Sequence, residues 1–332
     1  MTPARIGVYQ LGYRRYVVKR SLEAIPSIVI VLLVSFIIVR VVPGDPAQLI
    51  AGEAASPSTV AAIRTALGLD KPLWEQLIIY FQQLSHGDLG FSYTQHTSVA
   101  AIILTRLPNT LMLVGSAITL GVIFGVALGC MAASKAYSLR DTALTIWSLA
   151  SYAAPSFWVA QMLILLLAVE IPIFPAGGFQ NLRNESTGGP AVLDVLWHLF
   201  LPVLTLLVAY MAEQFRLTRA SMLEILGQDY ITTARAKGVN RRTVIFSHGL
   251  RNALLPVVTL IGLRFGSIFT GAVLTEVVFG WPGVGRLMYE SVIIRDYPVV
   301  LGCFIFVSSF VIVGAFITDL LYAAIDPRIR YE

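Results

Sequence analysis

The sequence predicts an all-α polytopic membrane protein, and three observations carry that prediction. The 332-residue chain is 56% hydrophobic and 13% charged, with a mean hydropathy of +0.75, whereas a soluble domain averages about 25% charged residues. Six apolar runs, at 24–42, 109–133, 143–171, 199–217, 253–275 and 298–322, approach or exceed the about 20 residues that cross a hydrocarbon core of about 30 Å. These runs are continuous rather than alternating, the pattern of spanning helices and not of barrel strands.

The N-terminus, MTPARIGVYQLGYRRYVVKR, lacks the short apolar core and small-residue cleavage site of a secretory signal, so the first span reads as an uncleaved anchor. VVPGDP closes that span: Pro43 and Pro46 cannot continue a helix, and Gly44 and Asp45 supply turn chemistry. A helix is expected from Ser58 to about Leu67, and a second between Pro72 and Gly87. On the second, Trp74, Leu77, Ile78, Phe81 and Leu84 form one apolar stripe, read as core. HGDLGFSYTQHTSV follows as a loop.

In the second span Gly121, Gly125 and Gly129 make a doubled GxxxG, which lets helix backbones approach closely, against another subunit or within the chain. Pro155 and Pro202 should kink the third and fourth spans. The connections at 172–197 and 279–297 are rich in Gly and Pro and read as irregular. The chain therefore divides into 1–42, an N-terminal cytoplasmic segment with the first span; 43–107, a small helical extracytoplasmic insert; 108–325, a five-helix core; and 326–332, a cytoplasmic tail.

Charge sets the orientation. With both termini inside, sixteen of the 24 Lys and Arg residues face the cytoplasm, seven of them between Arg216 and Arg251. That cytoplasmic loop, 218–252, has a pattern beyond its charge. QDYITTARAK reads as a short helix with small side chains, stopped by Gly238 at a C′ position, and Asn240 can cap a second helix from Arg241. A small-sided exposed helix before a glycine turn suits insertion into a partner's groove.

Polar groups inside spans are costly, about 2.5–3.5 kcal/mol for an ionised side chain at mid-bilayer. Gln161, Arg264 and Glu276 are the candidates for a translocation path, and Arg264 should face a carboxylate, a wet cavity or a protein neighbour. Glu213, Asp319 and Glu170 lie near span ends, where they can reach water. Cys130 and Cys303 fall inside spans and read as buried thiols. His86, His96, His198 and His248 never come at metal-ligand spacing, and no Ser/His/Asp or Cys/His set assembles. No GxxxxGK followed by Ser or Thr is present, so no nucleotide loop is expected. Neither an enzyme nor a nucleic-acid binder is indicated; the partner that composition demands is the lipid bilayer.

Several stretches resemble one family. DYITTARAKGV and HGLRNALLP, with VVPGDP, GLDKPLWEQ, GDLGFSY, RLPNTLML and EVVFGWPGVGRLMYESVIIRDYP, resemble the dipeptide/oligopeptide/nickel permeases of ABC importers from about residue 17 to Arg328. The insert after PGDP looks like the first of their two permease subunits. The resemblance implies a permease heterodimer, two cytoplasmic ATP-binding subunits carrying ATP and Mg, an extracytoplasmic binding protein, and a bacterial or archaeal plasma (inner) membrane. It implies no cofactor or metal on this chain. By position Thr232, Thr233 and Ala234 occupy the E-A-A slots of the signature loop and Gly238 its glycine; Thr232 departs from the peptide-type RTARAKG pattern. The loop is implied to couple to the ATPase through Tyr230, Thr233, Ala234, Arg235, Ala236, Lys237, Gly238, Val239, Arg251 and Asn252. Short peptides are the expected cargo, with nickel chelates, glutathione or oligosaccharides as alternatives. A gradient-driven transporter using Glu213, Arg264 and Asp319 is the rival class, although no paired broken helices in related halves are visible. A structural membrane adaptor is a third.

Overall fold

The computed structural model describes residues 3–41, 46–51, 55–66, 68–92, 94–181, 188–266 and 268–325. The turn at Pro43, Gly44 and Asp45 and the tail 326–332 lie outside them. Helices dominate: α1 (Pro3–Val41), α2 (Pro46–Ala51), α3 (Pro57–Ala66), α4 (Leu73–Ser85), α5 (Val99–Ser134), α6 (Leu139–Ala153), α7 (Ser156–Ile164) and α8 (Gly189–Leu226) come first. They are followed by α9 (Asp229–Ala236), α10 (Arg241–Thr243), α11 (Arg251–Gly266), α12 (Ile268–Val278), α13 (Val284–Ile293) and α14 (Tyr297–Ile325). Two π-helical stretches, Leu165–Glu170 and Val244–Leu250, extend α7 and lead into α11.

Five helices among the described residues are long and apolar enough to cross a membrane, and a sixth crossing exists if the α6–α7 pair counts as one span. The expected third span, 143–171, is thus broken, bent by 100° between Ala153 and Ser156. The cause is local. Pro155 crowds the residue before it out of the helical region, and Ala154 sits at φ −71°, ψ 127°. Pro202 does not interrupt its helix: α8 runs through it, with Leu201, Pro202 and Val203 all buried. The apolar helical segment Arg241–Gly262 overlaps the expected fifth span, 253–275. Asn240 starts the helix that leads into it, so the latter half of the basic loop is helical. The connections expected to be irregular hold helix as well, since α8 begins at Gly189 and α13 at Val284.

Two compact units divide the chain. One takes the described parts of Met1–Arg106 and Leu287–Phe316. In it Phe36 of α1 meets Tyr80 of α4, ring centroids 5.7 Å apart. Tyr80 lies off the predicted apolar stripe, and α4 buries no residue. Within the stripe Leu77, Phe81 and Leu84 are half-buried while Trp74 and Ile78 are exposed, so it is only partly covered. The expected loop after α4 contains a short antiparallel hairpin, β1 (Phe91–Ser92) with β2 (Thr97–Ser98). Asp296 holds it, accepting from Ser92 Oγ at 2.6 Å and from Thr94 Oγ1.

The second unit takes Leu107–Arg286 and the last helix from Ile317. Within it α5 lies close against α8. A Cβ on Gly121, Gly125 or Gly129 would fall 2.8, 2.5 and 2.7 Å from the Cβ atoms of Tyr210, Gln214 and Thr218. Both series step by four residues, so one ridge of α8 lies in a groove of absent side chains on α5. Lipid tails give helices no hydrophobic reason to associate, and close backbone approach supplies dispersion contact instead. Buried Cys130, Ala133, Met222 and Ala253 pack together at one end, and Ala160, Leu201 and Phe279 form another cluster.

Candidate functional site

The basic elbow between α8 and α11 is built by backbone chemistry readable residue by residue. Asp229 places a negative charge in the first turn of α9 and Arg235 a positive one in its last, both favourable to the helix dipole. Thr233 Oγ1 donates back to the Asp229 carbonyl at 3.0 Å. At the C-terminus the Gly238 N–H donates to the Arg235 carbonyl at 2.9 Å and the Val239 N–H to that of Ala234 at 3.2 Å. Those paired bonds are a Schellman cap, which needs a left-handed residue; Gly238 supplies it at φ +74°. Two residues on, Asn240 Oδ1 accepts from the Arg242 N–H at 2.8 Å and opens the next helix.

Three ties hold the elbow to the spans. Ile231 is fully buried beneath α9. The Tyr230 hydroxyl accepts from Asn252 Nδ2 at 2.8 Å and donates to the His248 carbonyl at 3.3 Å. The Arg241 guanidinium donates to the Ser134 carbonyl at the end of α5, at 2.6 Å. The rest points outward: Tyr230, Thr232, Thr233, Arg235, Ala236, Lys237, Gly238, Arg251 and Asn252 are exposed, Ala234 and Val239 half-buried. A Cβ on Gly238 would meet nothing within 4 Å. The elbow is therefore a rigidly capped helix, pinned at both ends and presenting small and cationic side chains.

The polar candidates within the spans fall at separate places. Half-buried Arg264 forms an ion pair with Glu213 of α8 and lies 5.4 Å from the centre of the Tyr210 ring. Its partner is a residue that sequence reasoning assigned to water at a span end. Arg264 and Glu213 are 51 positions apart, and only the α8–α11 packing brings them together. Gln161 is exposed on α7.

Glu276 is fully buried, and its carboxylate accepts from Thr110 Oγ1 at 2.6 Å and from the Arg286 N–H at 2.9 Å. Around it, Trp281 Nε1 donates to the Asn109 carbonyl and Asn109 Nδ2 to the Pro282 carbonyl, each at 2.9 Å. The Val284 N–H donates to Thr110 Oγ1, also at 2.9 Å. RLPNT and EVVFGWPGVGR thus lock to each other, and Glu276 closes the lock by accepting at the N-terminus of α13. Gly283 and Gly285 make room for that carboxylate.

Sequence reasoning also missed the pair nearest the elbow. Asp141, buried at the start of α6, accepts from Arg219 of α8 through two bonds, Nε at 2.5 Å and Nη2 at 2.8 Å. It also accepts from the Tyr137 N–H at 2.8 Å. Arg216, one turn before Arg219, stacks 4.0 Å over the Tyr152 ring. A run of α8 holding Glu213, Arg216 and Arg219 inside a span was the available signal.

The described architecture defines a multi-pass helical membrane protein whose most built surface is an elbow joining two spans. Comparison with known proteins makes the class specific. Residues 125–331 match the family "Binding-protein-dependent transport system inner membrane component", and residues 13–114 match "Binding-prot-dependent transport system membrane comp, N-term". The chain is 39% identical over 317 residues to the oligopeptide transport system permease protein AppB of Bacillus subtilis, covering 95% of this chain and 99% of that one. It is 38% identical over 336 residues to the dipeptide transport system permease protein DppB of Escherichia coli, covering 96% and 99%. With the glutathione transport system permease protein GsiC of Escherichia coli the identity is 40% over 317 residues, covering 96% and 99%. The chain belongs to the binding-protein-dependent inner membrane transport components. It is a permease subunit of an ABC importer and not an enzyme.

Proposed function

We propose that this chain forms one half of a translocation path for short peptides, moved through its elbow by ATP-binding subunits on separate chains. The observation that carries the reading is the elbow itself. A Schellman-capped cationic helix, tied to α5 by Arg241 and to the start of α11 by Tyr230 and Asn252, transmits a push into two spans at once. Full-length likeness to peptide permeases supports the cargo.

In this reading the elbow faces the cytoplasm, where most of the Lys and Arg residues fall, and both termini lie on that side. The exposed residues of α9 and the Gly238 turn enter a groove on an ATP-binding partner, and Arg251 flanks that contact. ATP and Mg bind to two such partners. A second permease subunit completes the path, and an extracytoplasmic binding protein delivers the peptide. The Arg264–Glu213 pair borders the path, where a change in α8–α11 packing alters what the guanidinium faces. Coupling is a difference in contacts between two global states.

The test is uptake of a labelled dipeptide into proteoliposomes holding the whole transporter. Uptake is expected to require internal ATP and to survive a protonophore. Uptake without ATP that collapses with the proton gradient would overturn the reading.

A further inference from the structure

The insert after α1 carries an apolar surface that the described residues leave partly uncovered. On α4, Tyr80, Leu84, Leu77, Phe81, Trp74 and Ile78 follow one another around an arc of about 160°. Glu75, Gln76, Gln82 and Gln83 lie on the other side, with half-buried Ile79. That polar side is tied to the turn before the helix: Gln76 Nε2 donates to the Lys71 carbonyl at 2.8 Å, and Glu75 pairs with the Lys71 ammonium at 2.8 Å. Across the apolar arc, cover falls off from one edge to the other. Tyr80 meets Phe36 of α1, and Leu84, Leu77 and Phe81 are half-buried. At the far edge Trp74 and Ile78 are 64% and 47% exposed.

Phe36 fixes the level of this surface. The apolar run of α1, Arg20–Ile38, has 19 residues, about 28 Å at 1.5 Å per residue, which matches a hydrocarbon core of about 30 Å without excess. Only 11% of that run is buried within the chain, and Ile30, Val34, Ile37 and Ile38 are exposed. The run therefore depends on hydrocarbon for its cover. Phe36 lies two residues inside its far end, about 3 Å from the boundary. The helix axis at Ile78 is within about 3 Å of its position at Tyr80, and at Trp74 within about 9 Å, whatever the tilt of α4. The headgroup layer is itself about 5–7 Å thick on each side. The rings of Tyr80 and Phe81 meet edge to face at 6.3 Å. With Phe36 and Trp74 they gather aromatic side chains where membrane proteins place their aromatic belts.

We propose that α4 is an interfacial helix whose Trp74–Ile78 edge enters the headgroup layer at the far end of α1, so that phospholipid supplies the cover the chain lacks there. The helix holds no Lys or Arg, and its one carboxylate, Glu75, is paired with Lys71. Burial of apolar surface rather than attraction to anionic headgroups therefore drives the insertion. Anchored in this way, the insert keeps Gln83 turned to water. The inference does not depend on the cargo or on what the elbow transmits, and its failure would leave the peptide-import reading standing.

Nitroxide labels on Ile78→Cys and Gln83→Cys, one at a time, test this in the whole transporter reconstituted in phosphatidylcholine vesicles. Both positions are exposed, on opposite sides of α4. Cys130 and Cys303 are buried, and the unsubstituted chain gives the labelling background. Electron paramagnetic resonance then reads collisions with oxygen, which concentrates in the bilayer, and with a water-soluble chromium complex. The ratio of oxygen to chromium collisions should be several-fold higher at position 78 than at position 83. The proposal is overturned if the two positions give the same ratio, which would put the Trp74–Ile78 edge in water. It is also overturned if the label at 78 is shielded from both reagents, because a protein partner would then cover that edge.

Discussion

Gly125→Ala is the sharpest probe of the α5–α8 contact. The added Cβ would lie 2.5 Å from Gln214 Cβ and 2.8 Å from the Met211 carbonyl oxygen. Carbon pairs are most favourable at about 3.5–4.0 Å, so the two helices must part by about 1 Å. Parting them loosens the Gly121–Tyr210 and Gly129–Thr218 contacts as well. Overpacking of this kind costs about 1–3 kcal/mol. Gly115 provides an internal control: it lies in the same helix, and a Cβ there meets nothing within 4 Å. Gly115→Ala should gain up to about 1 kcal/mol of helix propensity. The assay is thermal unfolding of the purified permease in one detergent at one scan rate, followed by tryptophan fluorescence. Gly125→Ala should melt several degrees below wild type and Gly115→Ala at or slightly above it, at about 2–4 °C per kcal/mol. Equal midpoints for the two variants would refute the close-packed account.

Other substitutions separate the remaining contacts. Gly238→Ala meets no neighbour and bears only the left-handed backbone cost, about 1 kcal/mol; normal membrane levels with uptake per ATP hydrolysed reduced are expected. Gly238→Asn should lose less, because Asn tolerates that region, while Gly238→Asp should insert normally and uncouple hydrolysis from uptake. Arg219→Ala strands the buried Asp141 carboxylate and should cost about 3 kcal/mol in the same melting assay, largely recovered by adding Asp141→Asn. Thr110→Val removes both a donor to Glu276 and the acceptor for the Val284 N–H, costing about 2 kcal/mol. Arg264→Leu should abolish uptake while leaving association with the ATP-binding partners intact, measured by co-purification.

What was legible in the sequence were features set by a few adjacent residues. Gly238 and Asn240 declared the turn and the cap of the elbow because both devices span six residues or fewer. Gly121, Gly125 and Gly129 declared a groove but not its occupant, since Tyr210, Gln214 and Thr218 carry no mark of facing glycine. Pro155 and Pro202 looked alike, yet only Pro155 breaks its helix, while Pro202 is enclosed by packed neighbours. Ion pairs were the least legible. Glu213 could be placed near water on its own helix, and Asp141 was unremarkable, until packing across α6, α8 and α11 set each against an arginine. The stripe on α4 is only partly covered, because periodicity marks an apolar face without saying whether protein, lipid or a partner meets it.

Site-specific crosslinking tests the central claim most directly. A short photoreactive group at Thr233, installed in the transporter assembled with its partners in a membrane, should join this chain to an ATP-binding subunit. The yield should change between nucleotide-free and ATP-bound states. Adducts formed instead with the substrate-binding protein, or labelling by a reagent confined to the outer face, would contradict it.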